Sequence, residues 1–286
     1  MSEVLKVYGA FVGEAFEMTV RLADARISPE LRDAARYHLS TLAQSKGMRP
    51  ALVRAAANVS GWSGSDLVMR AAAVQLAHEA MLIIDDILDG SEERRGLASL
   101  VHRFGHVQAA AVAAEFTCIV LELLDDDRQA RAMARRLTRE TCAAEALQDQ
   151  ERAGVRPLPI ATWQRIALGD TGAIFRMALW LGGVQPEGCL LADSLAYLRH
   201  GLDDIDDILD PHGDQADVRD NVPTLLTCFT DKTARGQLMA EIPAALGWLE
   251  PHLHAAERLP GLWRTFAPFF TDLGNVWRQF AGPAAA

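Results

Sequence analysis

The sequence predicts an all-α helical bundle. Apolar residues recur with helical spacing along most of its 286 residues. Alanine and leucine are abundant where the alternation of β-branched residues would mark strands. Helix start signals punctuate the pattern. Ser28-Pro29 is a cap followed by proline at the first helical position, and it opens a helix through about Ala43. Arg49-Pro50 opens the next. Ser63 to Asp66 starts a long helix that runs to about Asp89, after which Gly90 and Gly96 bracket a loop. Further helices are predicted over 106–124, 127–152, 161–182, 187–210 and, with breaks, 235–282. Asp125-Asp126-Asp127 falls between two of them, where a helix N-terminus favours acidic residues. Roughly ten helices without a convincing strand make a bundle, and bundles build sites from polar side chains that project inward.

Composition narrows the class. Half of the chain is hydrophobic and no Gly/Ser/Pro-rich linker divides it, so residues 1–286 read as one domain around one large core. A formal net charge of −10 argues against nucleic acid as a partner, because phosphate backbones call for basic patches. Cys118, Cys142, Cys189 and Cys228 are far apart and form no C-x-x-C pair. They predict a reduced, cytoplasmic chain with buried thiols. No basic stretch followed by an apolar run stands at the N-terminus, so no signal peptide is expected. The longest apolar stretch, Val107 to Leu124, is broken by Gln108, Glu115 and Glu122. It reads as a buried helix, so no transmembrane segment is expected.

Two aspartate clusters stand out against this background. Asp85-Asp86-Ile87-Leu88-Asp89 and Asp206-Asp207-Ile208-Leu209-Asp210 share five letters, each at the C-terminal end of a long apolar helix. Carboxylates there face the negative end of the helix dipole, and at i, i+3 and i+4 they repel one another. A hard divalent cation would offset both penalties. Asp85 and Asp89 are four apart and share a face, as do Asp206 and Asp210. Two oxygens per helix is what Mg²⁺ takes when it keeps some waters and completes its shell with substrate phosphate. The alternative is two solvated acidic helix ends. The paired histidines are poor zinc ligands by contrast: Gly105 breaks the helix between His102 and His106, and His252 and His254 point to different faces.

With these residues the chain resembles the trans-type polyprenyl diphosphate synthases of the isoprenoid synthase superfamily, from about Lys46 to Leu225. The family's G-K-x-x-R-P is Ser45-Lys46-Gly47-Met48-Arg49-Pro50. Its upstream histidine is His78, and its D-D-x-x-D followed by R-R-G is Asp85 to Asp89 and then Arg94-Arg95-Gly96. The next family glycine is matched at Phe104-Gly105. The G-Q-x-x-D element is Leu147-Gln148-Asp149-Gln150-Glu151, and the last element is Asp217…Asn221-Val222-Pro223-Thr224-Leu225.

The resemblance implies an isoprenoid synthase-type bundle with a central active-site cavity. It implies an Mg²⁺-dependent prenyltransferase, with three ions per site, that joins an allylic diphosphate to isopentenyl diphosphate. Asp85, Asp86, Asp89, Asp206, Asp207 and Asp210 would be catalytic, with Asp85, Asp89 and Asp206 as metal ligands. Lys46, Arg49, His78 and Arg95 would bind the diphosphate of isopentenyl diphosphate, and Arg94 that of the allylic substrate. Gln148, Thr171 and Asp203 would line the substrate site. Ala77, Ala80 and Met81, one and two turns before Asp85, carry no bulky aromatic, which implies products of about twenty carbons or more. A homodimer is the implied assembly.

The sequence departs from the family at the allylic site. Three lysines that would grip that diphosphate are replaced, by Asp170, Ala216 and Val222, and the family's F-Q pair is Leu202-Asp203. Arg219, additional Mg²⁺ or a non-standard substrate are the possible compensations. A class I terpene cyclase, a prenyltransferase with an unusual acceptor and a non-catalytic partner subunit therefore stay open as alternatives.

Overall fold

The computed structural model describes residues 2–282 except 155, 185, 210–220 and 259–262. The chain forms two compact units. The first comprises residues 1–136 with 177–184, and the second 137–176 with 185–286.

The first unit begins with α1, Glu3–Arg26, a helix that precedes the first predicted one. The Ser2 hydroxyl accepts from the Leu5 amide at 3.2 Å and caps it. Val4, Tyr8, Val12, Ala15, Thr19 and Ala23, spaced three or four apart, are its buried stripe. After α2 (Arg32–Leu39), α3 (Met48–Ser60) starts at Gly47, whose φ of +63° suits glycine. A side chain there would also collide with Val12. The central helix is α4, Leu67–Asp89, which packs against α1, α3 and α5 (Leu100–Leu123). Alanines 51, 55, 56 and 71–73 are fully buried, and such small residues let these helices approach closely. The segment 177–184 closes on α3 so tightly that a Cβ on Gly182 would lie 2.4 Å from the Val53 carbonyl oxygen.

The second unit contains most of α6 (Arg128–Glu151), α7 (Ile160–Ala167), the start of α8 (Ala173–Leu181) and α9 (Pro186–Leu209). Helices Ile242–Leu253 and Trp263–Ala281 follow. The predicted helix over 161–182 is interrupted by a π-turn, Leu168–Gly172, between α7 and α8. Gly169 allows it, since a Cβ there would lie 2.5 Å from the Ala144 Cβ of α6. The N-terminus of α6 is capped as the aspartate triplet predicts: an Asp127 carboxylate oxygen accepts from the Gln129 and Ala130 amides.

Three expectations need correction. The loop bracketed by Gly90 and Gly96 contains a short antiparallel hairpin, β1 (Glu93–Arg94) with β2 (Leu97–Ala98). Helix α5 is not buried all round. It packs through Ala109, Val112, Ala113, Phe116 and Val120, while Val107, Ala110, Ala114 and Cys118 lie exposed. The thiols of Cys118 and Cys142 are likewise exposed rather than buried. In the last two cases average hydropathy says nothing about which face meets a neighbour. Among the described residues α4 and α5 are long and apolar enough to cross a membrane, and α4 is mostly buried by its neighbours.

Candidate active site

The first aspartate cluster is organised by the hairpin that follows it. Arg95 and Gly96, at φ +55° and +77°, are the two central residues of a tight turn of the type that matches strand twist. Such a turn favours Asn-Gly, and a non-glycine residue in the left-handed region costs about 1–2 kcal/mol. The turn sends the two arginines to different partners. Arg94 reaches back to α4, donating from Nε to Asp86 Oδ1 at 2.8 Å and from Nη2 to Asp85 Oδ2 at 2.8 Å and to Asp86 Oδ1. Arg95 enters the unit interior. It donates to Glu79 Oε1 at 2.9 Å, Glu79 Oε2 at 3.1 Å and the Thr41 hydroxyl at 3.0 Å.

Glu79 is the residue that sequence reading missed. It is fully buried, with His38 Nε2 at 2.9 Å and a hydrogen bond from Gln75 Nε2 at 2.6 Å. Burial alone would raise its pKa. The contacts with His38 and Arg95 outweigh burial and hold the carboxyl well below the usual range. The available signal was an acid directly after His78, inside an otherwise apolar stretch of α4. His78 is buried too, and burial first, then the charges of Arg49, Arg95 and Arg94, keep its imidazole neutral. It can donate an N–H to a phosphate but brings no charge. Arg49, His78, Arg94 and Arg95 thus act on one region of the first unit. Lys46 lies exposed just before α3.

Asp86 is fully buried. Burial pushes its pKa up against the pull of Arg94, and its Oδ2 makes no hydrogen bond. An unsatisfied buried oxygen of this kind costs about 1–3 kcal/mol, a deficit that a nearby cation offsets. Asp85 and Asp89 are partly exposed on the same helix end. These hard oxygens fit Mg²⁺.

In the second unit, α9 carries Asp203, Asp204, Asp206 and Asp207, while Asp210 and the predicted positions Ala216, Asp217 and Arg219 lie outside the described residues. Asp204 is a buried anchor: Oδ2 accepts from Trp163 Nε1 at 2.9 Å and from the Leu225 amide at 2.8 Å. The Thr224-Leu225 element is thereby tied to α9. Asp203 pairs with Arg199 at 2.6 Å, and Asp206 and Asp207 are exposed. The π-turn presents Asp170 and Thr171 to His200. His200 Nδ1 lies 3.2 Å from Asp170 and 3.3 Å from the Thr171 hydroxyl. Burial would lower the His200 pKa, but the hydrogen bond to Asp170 and the charges of Asp204, Asp170 and Asp203 raise it to about 9. Where the resemblance implies a lysine, this chain has an aspartate with a protonated histidine against it. Gln148 is half-buried on α6.

A family match agrees with this geometry: residues 28–239 match polyprenyl synthetase. The chain belongs to the polyprenyl synthetase family. Among curated relatives, farnesyl diphosphate synthase of Escherichia coli (strain K12) is 31% identical over 192 residues, which are 60% of this chain and 63% of that protein. Octaprenyl diphosphate synthase of Haemophilus influenzae is 25% identical over 171 residues, 58% of this chain and 52% of that one. The chain therefore spans between half and two thirds of the length of these relatives. Among solved structures, a polyprenyl synthase from Caulobacter crescentus CB15, complexed with calcium and isoprenyl diphosphate, superposes with a TM-score of 0.76. Its identity is 19%, over 96% of this chain and 95% of that one. A decaprenyl diphosphate synthase from Rhodobacter capsulatus gives 0.74 at 18% identity, over 96% and 98%. The fold is the all-α isoprenoid synthase fold. The relatives' names run from farnesyl to decaprenyl and leave product length open.

Proposed function

We propose that this polyprenyl synthetase family member condenses an allylic diphosphate with isopentenyl diphosphate into a trans-prenyl diphosphate of about twenty carbons or more. The observation that carries this reading is that Arg49, Arg95 and Arg94 all act on the buried His78 of α4, while Arg94 also reaches Asp85 at the acidic end of that helix. Those groups suit one diphosphate, and the carboxylates beside them suit a cation that would accompany a second. Asp85, Asp89 and Asp206 would hold Mg²⁺, with Asp86, Asp207 and Asp210 supporting. The chemistry such an ion would supply there is neutralisation of the allylic diphosphate's charge. The arginine forks orient isopentenyl diphosphate so that its double bond faces the allylic carbon. His78 adds an uncharged N–H, and the apolar side chains of α4 keep water from the developing cation.

The direct test is incubation with Mg²⁺, isopentenyl diphosphate and allylic diphosphates of several lengths. Longer diphosphates support elongation. A hydrocarbon or alcohol favours a cyclase, and no turnover favours a partner subunit. Arg49→Ala should raise KM for isopentenyl diphosphate far more than for the allylic substrate, because a guanidinium binds phosphate oxygens in pairs. Product length is tested at α4. Ala77 and Ala80 are buried and Met81 half-buried, so a ring from Ala80→Phe should shorten the product if the growing chain runs past this face. An unchanged product makes these three packing residues only.

The Asp170–His200 pair favours one variant of this reading, an allylic subsite in which the His200 imidazolium offsets the charge of Asp170. The exposed stripe of Val107, Ala110, Ala114 and Cys118 on α5 supports a homodimer, which sedimentation would test. A cytoplasmic location is part of the same proposal.

A further inference from the structure

We infer that Glu79, seconded by Thr41, is the positioning residue of the isopentenyl diphosphate subsite: it fixes the Arg95 guanidinium in the pose that receives the diphosphate. This rests on the elongation reading above and extends it to a residue that no motif marks.

The hairpin gains nothing from arginine at position 95. Its backbone sits at φ +55°, where asparagine or glycine is at ease, so the side chain must supply the reason. That side chain turns into the unit and meets a carboxylate built to receive it. Glu79 is fully buried on α4, and four polar groups converge on its two oxygens: Gln75 Nε2, His38 Nε2 and both Arg95 Nη atoms. A buried acid is costly unless each oxygen is satisfied, and this one is satisfied through the arginine. Thr41 fixes the same guanidinium from the short helical turn Ser40–Gln44, while its own hydroxyl donates to the His38 carbonyl.

The consequence is a sorting of neighbours. Arg94 goes to Asp86 and Asp85, and Glu79 draws Arg95 away from those aspartates. The contacts described use both Arg95 Nη atoms but leave Nε, and the second hydrogen on Nη2, for phosphate oxygens. His78 and Arg49 act on the same region. Without Glu79 the guanidinium would swing freely and the turn would relax, so the subsite would lose its orientation as well as its anchor.

Steady-state kinetics of the full chain test this, with Mg²⁺ and each diphosphate varied in turn. Glu79→Ala and Arg95→Ala should each raise KM for isopentenyl diphosphate about tenfold or more, with KM for the allylic diphosphate changed less than about twofold. The double variant should be no worse than Arg95→Ala. Thr41→Val, which keeps shape and charge and covers the case in which Glu79→Ala does not fold, should raise the same KM about threefold. Combined with Glu79→Gln, which removes the buried charge, Arg95→Asn, suited to the turn, should recover thermal stability relative to Arg95→Ala without recovering KM, whereas a purely structural role would recover both. Additive effects in the double variant, or a normal KM in Thr41→Val and Glu79→Ala while Arg95→Ala is impaired, would overturn the inference and leave the subsite reading intact. A normal KM in Arg95→Ala would overturn both.

Discussion

The ends of α4 and α9 spell the same five residues, D-D-I-L-D, and the two units use them differently. On α4 the second aspartate, Asp86, points into the unit while Leu88 is 57% exposed. On α9 both Asp206 and Asp207 are exposed, and the isoleucine, Ile208, is buried. The pentapeptide is thus rotated by about one residue, or roughly 100°, between the two helices. Local partners explain the shift. Arg94 comes back from the hairpin and compensates a buried Asp86. In α9 the buried acid lies three residues before the position equivalent to Asp86, at Asp204, compensated by Trp163 and the Leu225 amide. The surroundings differ as well: arginines around the first cluster, a histidine and Arg199 around the second. Identical letters therefore guarantee a carboxylate-rich helix end but not which carboxylate is offered to solvent.

The largest effects should come where the two ends are alike. Asp85→Asn and Asp206→Asn are each expected to lower turnover about a thousandfold, since a bound cation contributes several kcal/mol to charge stabilisation and each tenfold is about 1.4 kcal/mol. Circular dichroism should report an unchanged fold, and chelation should abolish activity. Full turnover without divalent metal would remove the shared role of both clusters. The next effect separates the ends. Asp204→Ala strands two buried donors and should destabilise the chain by about 3 kcal/mol in denaturant unfolding. Asp207→Ala, at an exposed site, should change stability by less than about 0.5 kcal/mol. Equal losses would mean that the two carboxylates are not in different environments.

A smaller effect depends on pH. His200 holds its proton to about pH 9 in the fold, against 6.5 for the ordinary group. The fold therefore binds an extra proton between those values. That contribution is fully present below about pH 6.5 and is lost as pH rises through about 9. The Tm difference between the parent and His200→Gln should accordingly be largest near pH 6 and shrink towards pH 10. A difference that does not change with pH would mean the imidazole is neutral against Asp170. The smallest effect is at Arg199, whose ion pair with Asp203 is partly exposed. Arg199→Ala should cost less than about 1 kcal/mol, and added salt should reduce that further.

The sequence by itself determined most of the helices after α1, the capping aspartate of α6, the break at Gly105 and the two acidic clusters, because periodicity, caps and like charges at i+4 are local properties. The rotation of the second cluster, the separation of Arg94 from Arg95, and the buried Glu79 were not legible. Each depends on a partner far along the chain: His38 for Glu79, Thr41 for Arg95, Leu225 for Asp204, Asp170 for His200. The outward stripe of α5 failed for the same reason, since its alanines and Val107 read as core by hydropathy. Burial is settled by which face of a helix meets its neighbours, and a charge is tolerated inside only where tertiary packing delivers its counter-charge. Only the tertiary structure supplies those two facts.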